Sequence, residues 1–172
     1  MLTKDNTVIL ACTSMLLHVE AAQKKMKTDF PVIEADREYH VEPQSMKQCL
    51  RNKLAELPDS VENVLAAMAC CGGSWDGIRA ERKIVIPNMD DCITMLLHTD
   101  VDIIDTGAYD CYSEKFAVQA QENADLIRCI LDYVPGSNRI LEKLVSGKWD
   151  EQFVIFEKGE TIGFKNFSMG LY

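Results

Sequence analysis

Short apolar segments that alternate with helix-like segments constrain the fold of this chain more than any other feature. The stretches TVILAC (Thr7 to Cys12) and KIVIP (Lys83 to Pro87) are continuous apolar runs, typical of strands that are buried on both faces. The segments that follow them, TSMLLHVEAAQKKMK and NMDDCITMLLHTD, carry apolar residues at helical spacing. Thr13 or Ser14 is the predicted cap of the first of these helices. This alternation predicts an α/β fold built on a largely parallel sheet.

The remaining segments extend the same pattern. VENVLAAMAC fits a strand or a helix, and the glycine pair that follows it favours a strand. Other predicted strands or extended segments are FPVIEAD, REYHV, VDIID and QFVIFEKGETIGF. Other predicted helices are EPQSMKQCLRNKLAELP, SEKFAVQAQENADLIRCILDYV and SNRILEKLVSG. The sequence therefore predicts one domain over residues 1–172, with an open, mostly parallel, Rossmann-like sheet and helices on both faces.

Charge and composition exclude several classes of partner. The net charge is −9, from 18 Lys and Arg against 27 Asp and Glu, so the surface repels nucleic acid and anionic membranes. No apolar run approaches the ~18 residues that a membrane-spanning helix needs. The first residues lack the form of a secretory signal, and the seven cysteines include no CxxC pair. We therefore expect a cytoplasmic protein with reduced thiols.

Cysteines follow three of the predicted strands at the point where each strand ends. Cys12 ends the first strand, Cys70 and Cys71 end VENVLAAMAC, and Cys92 follows KIVIP. In open α/β sheets ligands bind outside the carboxyl ends of the strands, so these cysteines predict a shared site. The alternative is that each cysteine packs as a small apolar residue. Core packing is the interpretation for Cys49 and Cys129, in predicted helix interiors, and for Cys70.

Neighbouring polar residues indicate which chemistry such a site would have. We expect a helix N-terminus to lower the pKa of Cys92 and the acidic Asp90 and Asp91 to raise it. A divalent cation that binds both the thiolate and the carboxylates would resolve this conflict. His40 or Glu20 would supply a fourth ligand or a supporting contact, although either is equally typical of a protein surface. Thiolates with an imidazole select zinc, copper(I) or iron–sulfur clusters. Gly72 and Gly73 let the chain turn sharply and could bring backbone N–H groups to a cofactor, with Asp91 nearby.

Four segments resemble, in order along the chain, a known family. They are VILACTSMLLHVE, REYHVEPQSMKQCL, AMACCGGSWDGI and KIVIPNMDDCITMLL. The chain is similar over Thr7 to Leu97, and more loosely beyond, to the family of unknown function called DUF1638. The resemblance implies a shared site at eight matching positions: Cys12, Glu20, His40, Cys71, Gly72, Pro87, Asp91 and Cys92. Cys70 would be an additional cysteine, and Trp75 stands where the family has small residues.

The resemblance implies a link to corrinoid-dependent methyl transfer in anaerobic organisms, without an established reaction. Together with the cysteines, it leads to the expectation of a metal site formed by Cys12, Cys71 and Cys92. Zinc is the expected metal, ahead of a corrinoid or an iron–sulfur cluster, and the expected chemistry is one-carbon transfer to a thiol. The alternatives are a non-enzymatic accessory module and a metal-free cysteine nucleophile. Expected partners are a small-molecule substrate, a corrinoid protein or a second copy of the chain.

Overall fold

The computed structural model describes residues 1–92, 95 and 138–164, and the strands within them form one five-stranded sheet. Its strands are β1 (Thr7–Cys12), β2 (Val32–Ala35), β3 (Asn63–Ala67), β4 (Lys83–Pro87) and β5 (Phe153–Phe156). The α-helices of the described residues are α1 (Leu16–Met26), α2 (Pro43–Ala55) and α3 (Arg139–Ser146). Every strand coincides with an apolar segment that the sequence predicted as a strand or an extended segment.

The strand order is β2-β1-β3-β4-β5, and the first four strands are parallel. β5 joins the edge of the sheet antiparallel to β4. The chain moves from β1 to β2 in one direction and from β2 to β3 in the other, past β1. Because such crossovers are right-handed, α1 and α2 lie on opposite faces. The predicted open, mostly parallel α/β sheet is confirmed, and its direction of winding reverses between β1 and β3.

The central strands form the core. All six residues of β1 are buried, as expected for a parallel strand that is covered on both faces. α1 and α3 pack against each other, and α3 also contacts β3 and β4. α3 contributes Ile140, Leu141, Leu144 and Val145 to the core. The carboxyl ends of β1 and β3 are therefore rigid supports for the residues that follow them.

Two local predictions are wrong. REYHV is a 3₁₀ helix, Arg37–Val41, instead of a strand or extended segment, because the Asp36 carboxylate accepts a hydrogen bond from the N–H of Glu38. Thr13 does not cap α1, which is preceded by a 3₁₀ turn, Thr13–Met15, without a side-chain cap. The Thr13 hydroxyl instead donates to Glu34 Oε1, at 2.7 Å.

Some predictions lie outside the described residues. They are the strand VDIID, the helix SEKFAVQAQENADLIRCILDYV, most of the helix after Pro87, and the placement of Cys129. The single domain over residues 1–172 also stays a prediction. Cys92 and Met95 are helical, in agreement with a helix after β4. Among the described residues, no helix has the length and apolar character needed to cross a membrane.

Asn138 is a buried side chain that holds α3 in place, and its loss should destabilise the fold. Its Oδ1 accepts hydrogen bonds from the N–H groups of Ile140 and Leu141, and its Nδ2 donates to the Met95 carbonyl. Asn138→Ala removes a helix cap and leaves a buried carbonyl unsatisfied, so we expect a loss of about 2 to 3 kcal/mol. Urea unfolding measures this loss in the free energy of unfolding. The exposed Asn52→Ala should stay within ~0.5 kcal/mol, and equal losses for both variants would contradict this role.

Candidate metal centre

The cysteines that follow the parallel strands meet at the carboxyl edge of the sheet. Cys12 is the last residue of β1, Cys71 lies in the turn after β3, and Cys92 begins the helical segment after β4. β1 and β3 are the strands between which the winding of the sheet reverses. The site therefore occupies the position at which open α/β sheets bind their ligands.

Three atoms that could bind a metal ion converge at this edge of the sheet. Cys12 Sγ, Cys92 Sγ and a ring nitrogen of His40 all lie within 4.8 Å of one another. His40 Nε2 is 3.1 Å from Cys12 Sγ, which is hydrogen-bond distance for a thiol and an imidazole. Cys12 and Cys92 are buried, whereas His40 is half-buried. Two sulfur atoms and one nitrogen atom are thus close enough to one another to share one metal ion.

His40 reaches the site from a 3₁₀ helix that two hydrogen bonds hold at its start. The Asp36 carboxylate caps this helix, and Thr13 Oγ1 accepts a hydrogen bond from the N–H of Arg37 at 3.1 Å. Thr13 follows Cys12 directly in the chain. Thr13 therefore ties the end of the strand that carries Cys12 to the start of the helix that carries His40.

Cys71 lies in a tight turn that is bonded to the loop after β4. The N–H groups of Cys70 and Cys71 donate to the carbonyls of Met89 and Asp90, at 2.9 and 2.7 Å. Cys71 has φ +50°, a left-handed conformation that is uncommon for a residue other than glycine. Its Sγ lies 3.8 Å from Cys92 Sγ. This turn brings a third thiol to the edge of the cluster.

Ser74 supports the turn, a role that was not predicted from the sequence. Its hydroxyl donates to the Cys71 carbonyl at 2.6 Å, and its N–H donates to the Cys70 carbonyl. A serine that follows two glycines is a common turn residue, because its hydroxyl bonds to nearby backbone groups. The stretch CCGGS could therefore have indicated this role.

The buried thiols resist ionisation without a cation. The hydrogen bond with Cys92 and burial raise the pKa of Cys12, and the hydrogen bond with His40 offsets only part of this rise. For Cys92, the hydrogen bond with Cys12 lowers the pKa, but the hydrogen bond with Cys71 and burial leave it well above its ordinary value. The Cys71 hydrogen bond and burial therefore outweigh the influences that lower the pKa of Cys92. A divalent cation would supply the charge that these thiolates need.

Other predicted residues lie apart from the cluster. Glu20 is exposed on α1, whose buried residues are His18, Val19 and Ala22, and its carboxylate is not among the converging donor atoms. Asp91 lies in the bend that leads into Cys92 and is also outside the group. Among the described residues, neither Glu20 nor Asp91 contributes an atom to the group of converging donors.

The glycines and the second cysteine of the turn have backbone and packing roles. Gly72 and Gly73 have φ of +68° and +81°, and a Cβ on Gly73 would lie 3.1 Å from Asp76 Oδ2. Cys70 is buried, and burial raises its pKa to about 11, as for a packed thiol. Trp75 is fully buried, and Cys49 is buried on α2. Whether the glycines contact a cofactor stays a prediction.

Two thiols and an imidazole form a donor set that suits a soft or borderline metal ion. Zn²⁺ binds sulfur at about 2.3 Å and nitrogen at about 2.0 to 2.1 Å, with a tetrahedral arrangement. The 3.1 Å between Cys12 Sγ and His40 Nε2 requires both atoms to separate by a few tenths of an ångström around such an ion. The arrangement can hold a metal with three protein ligands and leave a fourth position for a substrate atom.

Comparisons with known proteins support the resemblance that was identified from the sequence. A family model described as "Protein of unknown function (DUF1638)" matches residues 35–102, and the similarity to this family is confirmed over that segment. The segment includes His40, Cys71 and Cys92, and Cys12 precedes it. No curated protein and no solved structure gives a significant match.

Proposed function

We propose that this protein binds one zinc ion through Cys12, His40 and Cys92 and uses it to activate a substrate thiol. The observation that carries the proposal is the convergence of the two sulfur atoms and the ring nitrogen within 4.8 Å. Three protein ligands with one remaining position are typical of catalytic zinc sites. The location at the carboxyl edge of the sheet supports a substrate site in the same place.

The donor set favours zinc over an iron–sulfur cluster. Iron–sulfur clusters are usually held by four cysteine thiolates, and only three thiols lie together among the described residues. Zinc accepts a mixture of thiolate and imidazole and has no redox chemistry of its own. It also stabilises the deprotonated form of thiols that burial would otherwise keep neutral.

The chemistry we propose is transfer of a methyl or other one-carbon group to the bound thiol. The thiol loses its proton when it binds, and its sulfur then attacks the carbon of the donor. A new sulfur–carbon bond forms, and the donor keeps the electron pair of the bond that breaks. Electron donation from the thiolate ligands keeps the bound sulfur nucleophilic, which favours alkyl transfer over hydrolysis. A methylated corrinoid protein is the proposed donor, in keeping with the expectation from the family resemblance.

Zinc titration tests the proposal directly. Protein that is stripped with a chelator under reducing, anaerobic conditions should bind one equivalent of Zn²⁺. At a free zinc concentration about 1,000 times the Kd, binding should stabilise the fold by about 4 kcal/mol, visible as a higher Tm. Ca²⁺, which prefers oxygen ligands, serves as the control and should leave the Tm unchanged. Binding of less than 0.2 equivalents, or an equal effect of Ca²⁺, would contradict the proposal.

The short distance between the sulfur atoms of Cys71 and Cys92 supports a second candidate function. If Cys71 closed the fourth position permanently, four protein ligands would surround the metal, as in a structural site or an accessory metal-binding module. A metal-free nucleophile at Cys92 is less well supported, because the hydrogen bond with Cys71 and burial raise the pKa of this thiol. Addition of a thiol to the zinc-loaded protein distinguishes the first two functions, since only an accessible metal binds it.

A further inference from the structure

We propose that Cys71 is a displaceable fourth ligand, which occupies the metal in the resting protein and leaves it when a substrate thiol binds. This inference rests on the proposed function and adds the regulation of the same site. The exchangeable ligand is thus the Cys71 thiolate, in the turn after β3. Cys12, His40 and Cys92 are the permanent ligands.

The distance between two sulfur atoms supports coordination by Cys71. Two thiolates that bind one tetrahedral zinc at about 2.3 Å lie about 3.8 Å apart. Cys71 Sγ and Cys92 Sγ are 3.8 Å apart, well beyond the ~2.05 Å of a disulfide bond. The two cysteines are already spaced as one edge of a metal tetrahedron. Cys71 lies outside the group of three donors, so the full site requires its sulfur to move towards Cys12 and His40.

The backbone of the turn holds Cys71 beside Cys92, within reach of such a movement of its sulfur. Cys71, Gly72 and Gly73 have φ of +50°, +68° and +81° in succession. The left-handed conformation costs a cysteine about 1 to 2 kcal/mol and costs the glycines little, so Gly72 and Gly73 let the chain turn sharply after Cys71. Hydrogen bonds with Asp90 and Ser74 hold the backbone of Cys71, so its sulfur moves by rotation of the side chain. Gly72 is exposed, and a Cβ at Gly73 would press on Asp76.

The positions of the thiols support a division of roles. Cys12 and Cys92 are buried, whereas Cys71 is half-buried. Cys12 is fixed within the sheet, where every residue of β1 is covered. Cys71 is therefore the thiol that incoming solutes meet first, and its departure from the metal opens the position that faces solvent.

The exchange conserves protons. A substrate thiol RSH gives its proton to the Cys71 thiolate as its own sulfur replaces that of Cys71 on the metal. The metal keeps the same number of thiolate ligands, and no proton enters the solvent. When Cys71 is replaced by alanine, a water molecule occupies the fourth position instead. Binding of RSH to that variant then releases one proton and adds one thiolate ligand.

The test uses Co²⁺ in place of Zn²⁺, because the intensity of sulfur-to-cobalt charge-transfer absorption reports the number of thiolate ligands. A phosphine serves as reductant during preparation, so that the only added thiol is the probe, 2-mercaptoethanol. Proton release is measured on the zinc proteins at about pH 6.5, below the ~7 to 9 at which zinc-bound water ionises. Cys71→Ala is compared with Cys70→Ala, which removes the adjacent, packed cysteine.

We expect the cobalt forms of the wild type and Cys70→Ala to show three thiolate ligands, a number that 2-mercaptoethanol leaves unchanged. Under the same conditions Cys71→Ala should rise from two thiolates to three. Its zinc form should release about one proton per thiol bound, and the wild type close to none.

Equal thiolate numbers in wild type and Cys71→Ala before thiol addition would overturn coordination by Cys71. A wild type that binds metal but no thiol would overturn displacement while leaving metal binding intact. Failure of all three proteins to bind cobalt and zinc would overturn the proposed function as well.

Discussion

Replacing Cys92 with serine should lower the zinc affinity of this protein by at least about 100-fold. Cys92 lies close to the other donors on both sides, within 4.8 Å of Cys12 and His40 and 3.8 Å from Cys71. A serine hydroxyl stays protonated at neutral pH and is a poor zinc ligand. Substitution of a residue that only supports a metal ligand already lowers metal affinity about 10- to 100-fold. Loss of a ligand itself should therefore lower the affinity further. Competition with a chromophoric chelator measures the affinity.

Cys49→Ser is the matched control for this substitution. Cys49 is also a buried cysteine, but it lies on α2 and is not among the converging donors. Its replacement should leave zinc affinity within about twofold of the wild type. An unchanged affinity in Cys92→Ser, with urea unfolding showing that both variants are folded, would contradict a metal site at this position.

Replacing Trp75 with alanine should cost about 3 to 5 kcal/mol of the free energy of unfolding. Trp75 is fully buried, lies in the same run of turn residues as Cys71, and belongs to the main apolar core. Its loss would leave a large cavity beneath that turn. We therefore also expect weaker zinc binding, because the turn would no longer hold Cys71 beside Cys92. Urea unfolding and zinc competition on the same preparation measure the two effects.

Trp149→Ala provides the comparison for Trp75. Trp149 is only half-buried, and its Nε1 donates to the Leu144 carbonyl at 2.9 Å. Its loss should cost about 1 to 2 kcal/mol, from one hydrogen bond and part of a ring contact, and should leave zinc affinity unchanged. If both variants lost the same free energy of unfolding, a special role of Trp75 in the core would be contradicted.

The strands of this fold could be predicted because buried parallel strands have a strong local signature. TVILAC and KIVIP are short, apolar and rich in β-branched residues, and they form β1 and β4. REYHV was misread because it shares the length and composition of a short extended segment. The Asp36 cap decided its 3₁₀ conformation, and that hydrogen bond has only a weak sequence signal.

The site was only partly predictable, for a different reason. Cysteines at strand ends indicate a shared edge of the sheet, but they do not say which side chains point at one another. His40 and Glu20 were equal candidates in the sequence. The structure places His40 beside Cys12 and leaves Glu20 exposed, because the buried side of α1 is formed by residues such as Val19 and Ala22.

The sequence by itself determined the α/β class, the strand positions and the presence of thiols at the carboxyl ends of three strands. These properties follow from local apolar patterns and from the rule that parallel strands end at a common edge. Only the tertiary structure decided that Cys12, His40 and Cys92 form the close group, with Cys71 at its border. Donor convergence depends on strand order, on the Thr13 hydrogen bonds and on a left-handed turn, which bring together residues distant in the chain.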